Sequence, residues 1–153
     1  MAEKSLSPAD FNHKFTVNVR FHEVDMLGVC YNAVYINFFE TARLEYIKAA
    51  GLMPAKGIFS DGNIFFIVRN EINYRGYAYH DDILDVYSKI SYIKNSSFGY
   101  DHLIVNQKSG KVIVDGKVVI VHVDLKSRKS KRLPESFIEK VKAFEPFVKI
   151  LRE

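Results

Sequence analysis

The segment from Ala33 to Ala50 most restricts what this chain can become. Its spacing predicts a helix, with Val34, Phe38, Ala42, Leu44 and Tyr46 on one set of positions and Tyr35, Ile36, Phe39, Ile47 and Ala49 on most of the rest. A helix that is apolar on nearly every side belongs inside a core, so the remaining chain has to be arranged around it. Asn32 suits the N-cap, Gly51 fits the position just past the last turn, and Pro54 blocks continuation.

What remains to do the surrounding is mostly strand. Phe15, Val17, Val19 and Phe21 alternate with polar neighbours, predicting a half-buried strand over 15–21. Further strands are predicted over 63–77, 83–93, 98–106 and 111–125, with Leu84, Val86, Ser88, Ile90 and Tyr92 sharing one face of the second of these. Turn signals stand at 94–97 and 107–110, and residues 23–31 and 53–61 read as loops. Pro134 to Phe144 reads as a short amphipathic helix with Pro134 near its first turn. Segregated elements of this kind give an α+β chain: a curved five-stranded antiparallel sheet wrapped around one long central helix, the hotdog arrangement. Residues 1–12 form a polar leader and 13–153 a single domain. Such a sheet leaves open edges, and pairing with a second copy is the common way to cover one, so a dimer or a dimer of dimers (a homotetramer) is expected.

The chain has 153 residues and a net charge of +4. That balance tolerates an anionic ligand but is too weak to indicate nucleic acid, and no basic helix or aromatic stacking motif adds to it. Cys30 is the single cysteine, which excludes an intrachain disulfide and fits a reducing, cytoplasmic compartment. No uninterrupted apolar run reaches the roughly 18 residues of a membrane span, and the first residues lack the apolar stretch of a signal peptide.

The chemistry concentrates between Arg20 and Glu45. Asp25 lies in the loop just before the helix. An acid beside the unpaired N–H groups of a helix start can attack an electrophile or activate water while those N–H groups receive a developing oxyanion. Asn32 to Tyr35 supply the oxyanion candidates. Both features also have plainer explanations, a loop acid favouring the helix dipole and an Asn32 side chain capping the first turn. Gly28 permits a fold-back or a close approach to a ligand, or is simply a turn glycine. Glu40 and Arg43, at i and i+3, suit a partly buried ion pair, with Glu40 as a second candidate base. Cys30 and His22 are a conceivable nucleophile and base, but Cys30, set between Val29 and Tyr31, reads first as a buried inert thiol. The five histidines have no metal-ligand spacing, and His102 and His122 fit strand positions in the wall of the fold. Lys126, Arg128, Lys129, Lys131 and Arg132 form a basic run that either is a solvated turn or clamps phosphates.

These residues also carry a resemblance. The run Glu23-Val-Asp25-Met-Leu-Gly28-Val-Cys-Tyr31-Asn-Ala-Val-Tyr35 followed by Phe39-Glu40-Thr41-Ala42-Arg43 resembles the active-site segment of the 4-hydroxybenzoyl-CoA thioesterase family, in particular its small Tol-Pal-associated acyl-CoA thioesterases. Asn73–Tyr74, Asp82, Ser96–Ser97, Gly116 to Asp124 and Arg132–Leu133–Pro134 extend the likeness over nearly the whole domain. The resemblance implies hydrolysis of an acyl-CoA or acyl-carrier-protein thioester, with Asp25 as nucleophile or general base and the Asn32 backbone N–H as oxyanion donor. It implies substrate contacts from Gly28, Tyr31, Tyr35 and Phe39, with Arg128 and Lys131 near the anionic CoA tail. CoA is then part of the substrate, and no cofactor or metal is required. Glu23 replaces the family's first acid, and Asn32 stands where several members carry His or Tyr. A hotdog-fold dehydratase or hydratase and a non-catalytic acyl-binding module are the alternatives.

Overall fold

Five long strands and one long helix form in the order that the alternation predicts. The computed structural model describes residues 4–57 and 60–153, so Ile58 and Phe59, in the expected 53–61 loop, lie outside the described residues. The strands are β1 (His13–Asn18), β2 (Ile64–Tyr74), β3 (Ile83–Ile93), β4 (Ser97–Asn106) and β5 (Val112–Val123), and the helices are α1 (Val34–Ala49) and α2 (Glu135–Phe144). The sheet runs β1-β3-β4-β5-β2 with every long pair antiparallel, leaving β2 at one edge.

A sixth strand corrects the expected count of five. β6 (Lys149–Ile150) pairs in parallel with the last residues of β3. Two residues are too few to show a period, so no sequence pattern marks them. The first strand is also shorter than expected: it stops at Asn18, and Phe21–Glu23 forms a 3₁₀ turn that leaves Phe21 exposed.

α1 is buried along one stripe only, formed by Tyr35, Phe38, Phe39, Ala42, Arg43 and Tyr46, while Asn37, Glu40, Thr41 and Lys48 face solvent. All-round burial was the expectation, and the sheet covers just one side. The buried stripe sits on the concave face of the sheet. The Phe39 ring stacks on His102 at 4.4 Å, and Tyr46 meets Tyr100 edge-on at 5.3 Å. Gly116 on β5 makes this approach feasible, since a Cβ there would lie 2.8 Å from the Phe39 ring and 2.6 Å from the Glu71 carbonyl oxygen.

Two bulges break the strict alternation. One lies between Ile67 and Arg69 on β2, the other between Ile90 and Tyr92 on β3. An extra residue moves everything after it to the opposite face. Leu84, Val86, Ser88 and Ile90 are buried together as expected, but Ile93 takes the next core position and Tyr92 does not.

The end of the leader is docked on the sheet. Phe11 packs on Tyr87 at 5.6 Å, and the Lys89 ammonium donates to the Asp10 carbonyl. At the other end of the chain, α2 buries Ile138 and Val141, and Phe137 lies 4.8 Å from Phe98 of β4. Arg152 fastens this region by donating to the Leu133 carbonyl and to Glu135, each at 2.7 Å.

Candidate active site

Residues 24–30 fold into a narrow hairpin. Val24 bridges Cys30, the Asp25 N–H donates to the Val29 carbonyl at 2.9 Å, and the Gly28 N–H donates back to the Asp25 carbonyl at 3.0 Å. Gly28 holds φ at +80°, a left-handed conformation in which a side chain is strained even where space is open. The hairpin is pinned at its base by the Tyr31 N–H on the Glu23 carbonyl and by the Cys30 N–H on the Ala78 carbonyl.

The Asp25 carboxylate therefore sits at a fixed tip, half-buried. Its Oδ1 accepts the Leu27 N–H at 2.8 Å, and its Oδ2 receives no donor among the described residues. The chain then runs directly into α1. The N-cap is Ala33 and no side chain caps the helix, which corrects the expectation that Asn32 does so. Asn32 is instead held by its carbonyl, which accepts the Tyr74 hydroxyl at 3.0 Å. The Val34 N–H is engaged by the Tyr31 carbonyl, while the N–H groups of Asn32 and Ala33 meet no protein acceptor among the described residues. A carboxylate oxygen and two main-chain donors thus remain available at one helix start.

The other expected site residues fall into two groups. Tyr31 is exposed beside the hairpin. Tyr35 and Phe39 are in the core; Tyr35 packs against the Cys30 thiol and the Tyr74 ring, and Phe39 has no exposed surface. They set the position of the first two turns of α1. Cys30 is buried, its thiol pushed up to about 11 by that burial, so it stays protonated and does not serve as a nucleophile at neutral pH.

A separate cleft of about 500 Å³ lies between α1 and α2, floored by the concave face of the sheet. Leu44 and Ile47 form one wall, Phe65 and Phe98 the floor, and Phe137 the other wall. Its size and apolar lining suit a small-molecule chain or ring. Arg43 opens into it from the buried stripe of α1. The expected Glu40–Arg43 ion pair does not form: Glu40 faces solvent at the rim, whereas the Arg43 guanidinium turns inward and donates to His102 Nε2 at 3.3 Å. The i, i+3 spacing shows that the two can meet, not which of them the core takes in.

Comparison with known proteins gives this geometry a family. The model of the thioesterase-like superfamily matches residues 19–141, a span that includes the hairpin, α1, all the long strands after β1 and most of α2. The chain belongs to that superfamily. Among its relatives, the long-chain acyl-CoA thioesterase FadM of Escherichia coli (strain K12) is 30% identical over 128 residues, covering 82% of this chain and 93% of that protein. The acyl-CoA thioester hydrolase YbgC of Escherichia coli O157:H7 is 26% identical and covers 84% of this chain and 95% of its own. A thioesterase from Thermus thermophilus, solved in complex with coenzyme A and zinc, is 27% identical with a TM-score of 0.75, covering 90% of this chain and 97% of that one.

The basic run of this superfamily member is an ordered turn. Asp124 accepts the N–H groups of Lys126 and Ser127, and the Ser127 contact in particular holds its carboxyl below the usual range. Arg128, at φ +61°, lies over the outward-facing Phe66 ring, 5.9 Å from its centroid. Lys131 is exposed on the same segment. Neither lines the cleft: Arg128 lies over β2, whereas the Lys131 N–H donates to the His122 carbonyl of β5. The cleft itself draws Phe65 and Ile67 from β2. Its Phe98, Tyr100 and Phe137 were missed, because alternation marks buried positions without separating core from cavity wall.

Proposed function

We propose that this chain hydrolyses acyl-CoA thioesters to the free acid and CoA, as a member of the 4-hydroxybenzoyl-CoA thioesterase family of Tol-Pal-associated type. The supporting observation is the uncapped start of α1, with the Asn32 and Ala33 N–H groups beside a carboxylate whose Oδ2 is unengaged. Asp25 attacks the thioester carbonyl or activates the water that does. The oxyanion forms against the Asn32 N–H and the positive end of the helix dipole. In the first case C–S cleavage leaves an Asp25 acyl anhydride that a water then hydrolyses to the free acid; in the second Asp25 takes the proton of the attacking water. In both, the CoA leaves as a thiolate that takes a proton from solvent. Gly28 and Tyr31 flank the reacting group, and Arg128 and Lys131 receive the anionic CoA tail. The reaction needs no redox cofactor or metal, and the cytoplasm supplies the acyl-CoA or acyl-carrier-protein substrate.

The same reading includes a dimer. Met26, Leu27, Tyr77 and Tyr79 expose apolar surface around Asp25, and β2 has an unpaired edge. Because Tyr74 touches Asn32, the end of β2 lies at the first turn of α1. Antiparallel pairing of two β2 edges about their middle sets residue 74 of one copy near residue 64 of the other. The cleft of one copy then adjoins the Asp25 hairpin of its mate and accepts the acyl group. The dehydratase alternative needs a histidine at the acid, and His102 and His122 are both engaged within the fold.

Thiol release from a panel of acyl-CoAs, with wild type and Asp25→Asn in parallel, tests this. Turnover lost in a folded mutant supports it. Turnover that survives removes Asp25 from the chemistry, and no turnover on any donor, carrier protein included, leaves a binding module.

A further inference from the structure

Arg43 is an unusual residue for the wall of an apolar cleft. It is only 7% exposed, yet no carboxylate lies within ion-pair distance among the described residues. Its side-chain hydrogen bond goes to His102 Nε2, and its guanidinium stands 6.0 Å over the Tyr100 ring. His102 brings no negative charge. Its Nδ1 faces Ser88 Oγ at 3.0 Å and the Tyr87 carbonyl at 3.3 Å, so Nδ1 carries the proton and Nε2 is the acceptor. Burial first, and the Arg43 charge second, hold its basicity well below the ordinary histidine range. Buried charges are normally paired, and a guanidinium has five N–H donors in a planar fork. One imidazole nitrogen and one ring face leave most of that capacity directed at the cleft.

The mouth does not provide the same selection. Glu40, Asp61 and Lys140 line it with mixed sign. The walls further in, Leu44, Phe65, Phe98 and Phe137, accept a hydrocarbon chain.

We propose that this cleft binds an aliphatic carboxylate, with the chain along the apolar walls and the carboxylate on the Arg43 guanidinium. Bidentate pairing of that kind is the geometry the guanidinium fork favours. Two molecules present this chemistry: an acyl-CoA whose acyl group ends in a second carboxylate, and a free fatty acid. As a statement about substrate, the inference rests on the cleft being the acyl site of the proposed thioesterase.

Calorimetric titration with dodecanoate and with neutral dodecanamide reads the site directly. Wild type is expected to bind the carboxylate roughly tenfold or more tightly than the amide, the scale of a charge-assisted hydrogen-bond pair. Arg43→Gln is expected to erase that preference, Arg43→Lys to keep part of it, and Leu44→Trp, which fills the cleft, to abolish binding of both. Thiol release then separates the two sources. A kcat/KM for the monothioester of dodecanedioate above that for dodecanoyl-CoA, and dependent on Arg43, assigns the carboxylate to the substrate. Arg43-dependent binding of dodecanoate alone assigns it to a free fatty acid. Equal binding of acid and amide, no binding of either, or binding untouched by Leu44→Trp overturns the proposal. Should the Arg43 variants fail to fold, the wild-type preference together with Leu44→Trp decides. Hydrolysis of dodecanoyl-CoA with no carboxylate preference sinks this inference and leaves the thioesterase reading intact.

Discussion

The two ends of α1 are built on opposite plans. At its start, an exposed hairpin presents Asp25 and the helix N–H groups go uncapped. From its second turn onward, Phe39, Arg43 and Tyr46 are buried, and Tyr46 is bound from both sides: the Ile90 N–H donates to its hydroxyl at 3.2 Å, and the hydroxyl meets the Glu145 carboxyl. The first end leaves polar groups unsatisfied where water and ligand reach them, which costs little stability. The second invests in packing. One helix thus separates the groups offered for chemistry from those that hold it in place, and mutations at the two ends should have different signatures.

The largest effect expected is on turnover. Asp25→Asn should lower kcat by on the order of a hundredfold or more while the unfolding midpoint stays put; an equal loss of stability would mean that the hairpin, not the carboxylate, is what matters. Phe39→Ala should do the reverse. It removes a ring stacked on His102 and is expected to cost about 3–5 kcal/mol in urea unfolding, with the surviving folded fraction still turning over substrate. A folded Phe39→Ala protein without activity would break the separation.

Glu145 gives a smaller, pH-dependent effect at the buried end. Burial raises its carboxyl to about 6, and its Oε1 has no hydrogen-bond partner among the described residues. The folded chain therefore keeps this proton to higher pH than the unfolded chain does. Its contribution to stability is complete below the ordinary carboxylate range and is lost as pH rises through about 6. Glu145→Gln should accordingly stabilise by about 1–2 kcal/mol at pH 8 and make little difference at pH 4. Denaturant titrations at the two pH values check the sign. The smallest effect is at the basic turn. Arg128→Ala should raise KM a few-fold for an acyl-CoA, less at high salt, with kcat unchanged. A KM that ignores both mutation and salt would separate this loop from the CoA tail.

Much of this contrast was legible before any coordinates. Apolar spacing marked α1, the alternation marked the long strands, and the position of Asp25 before a helix marked the active end. The other end was harder to read. Arg43 lies one turn after Phe39 and one before Ile47, on the buried stripe, but its i, i+3 spacing to Glu40 read as a partly buried ion pair rather than as a side chain turned inward on its own. The bulge after Ile90 put Ile93 in the core through hydrogen-bond geometry that no side-chain pattern encodes. The docking of Phe11 on Tyr87 and the β6 pairing depend on contacts between distant segments, where local propensity carries no information.

The bulge at Ile67/Arg69 has a consequence for the proposed dimer. It lies in the middle of the open edge, where Phe66, Ile67 and Val68 are exposed. A long, flat, hydrophobic edge is a template for open-ended polymerisation. A kinked edge accepts a mate in a restricted register, and two-fold pairing then uses up both edges at once. Deleting Val68 would restore the inward alternation of Ile67, Asn70 and Ile72 while straightening the strand. The resulting chain would keep its core and lose its guard against fibrils.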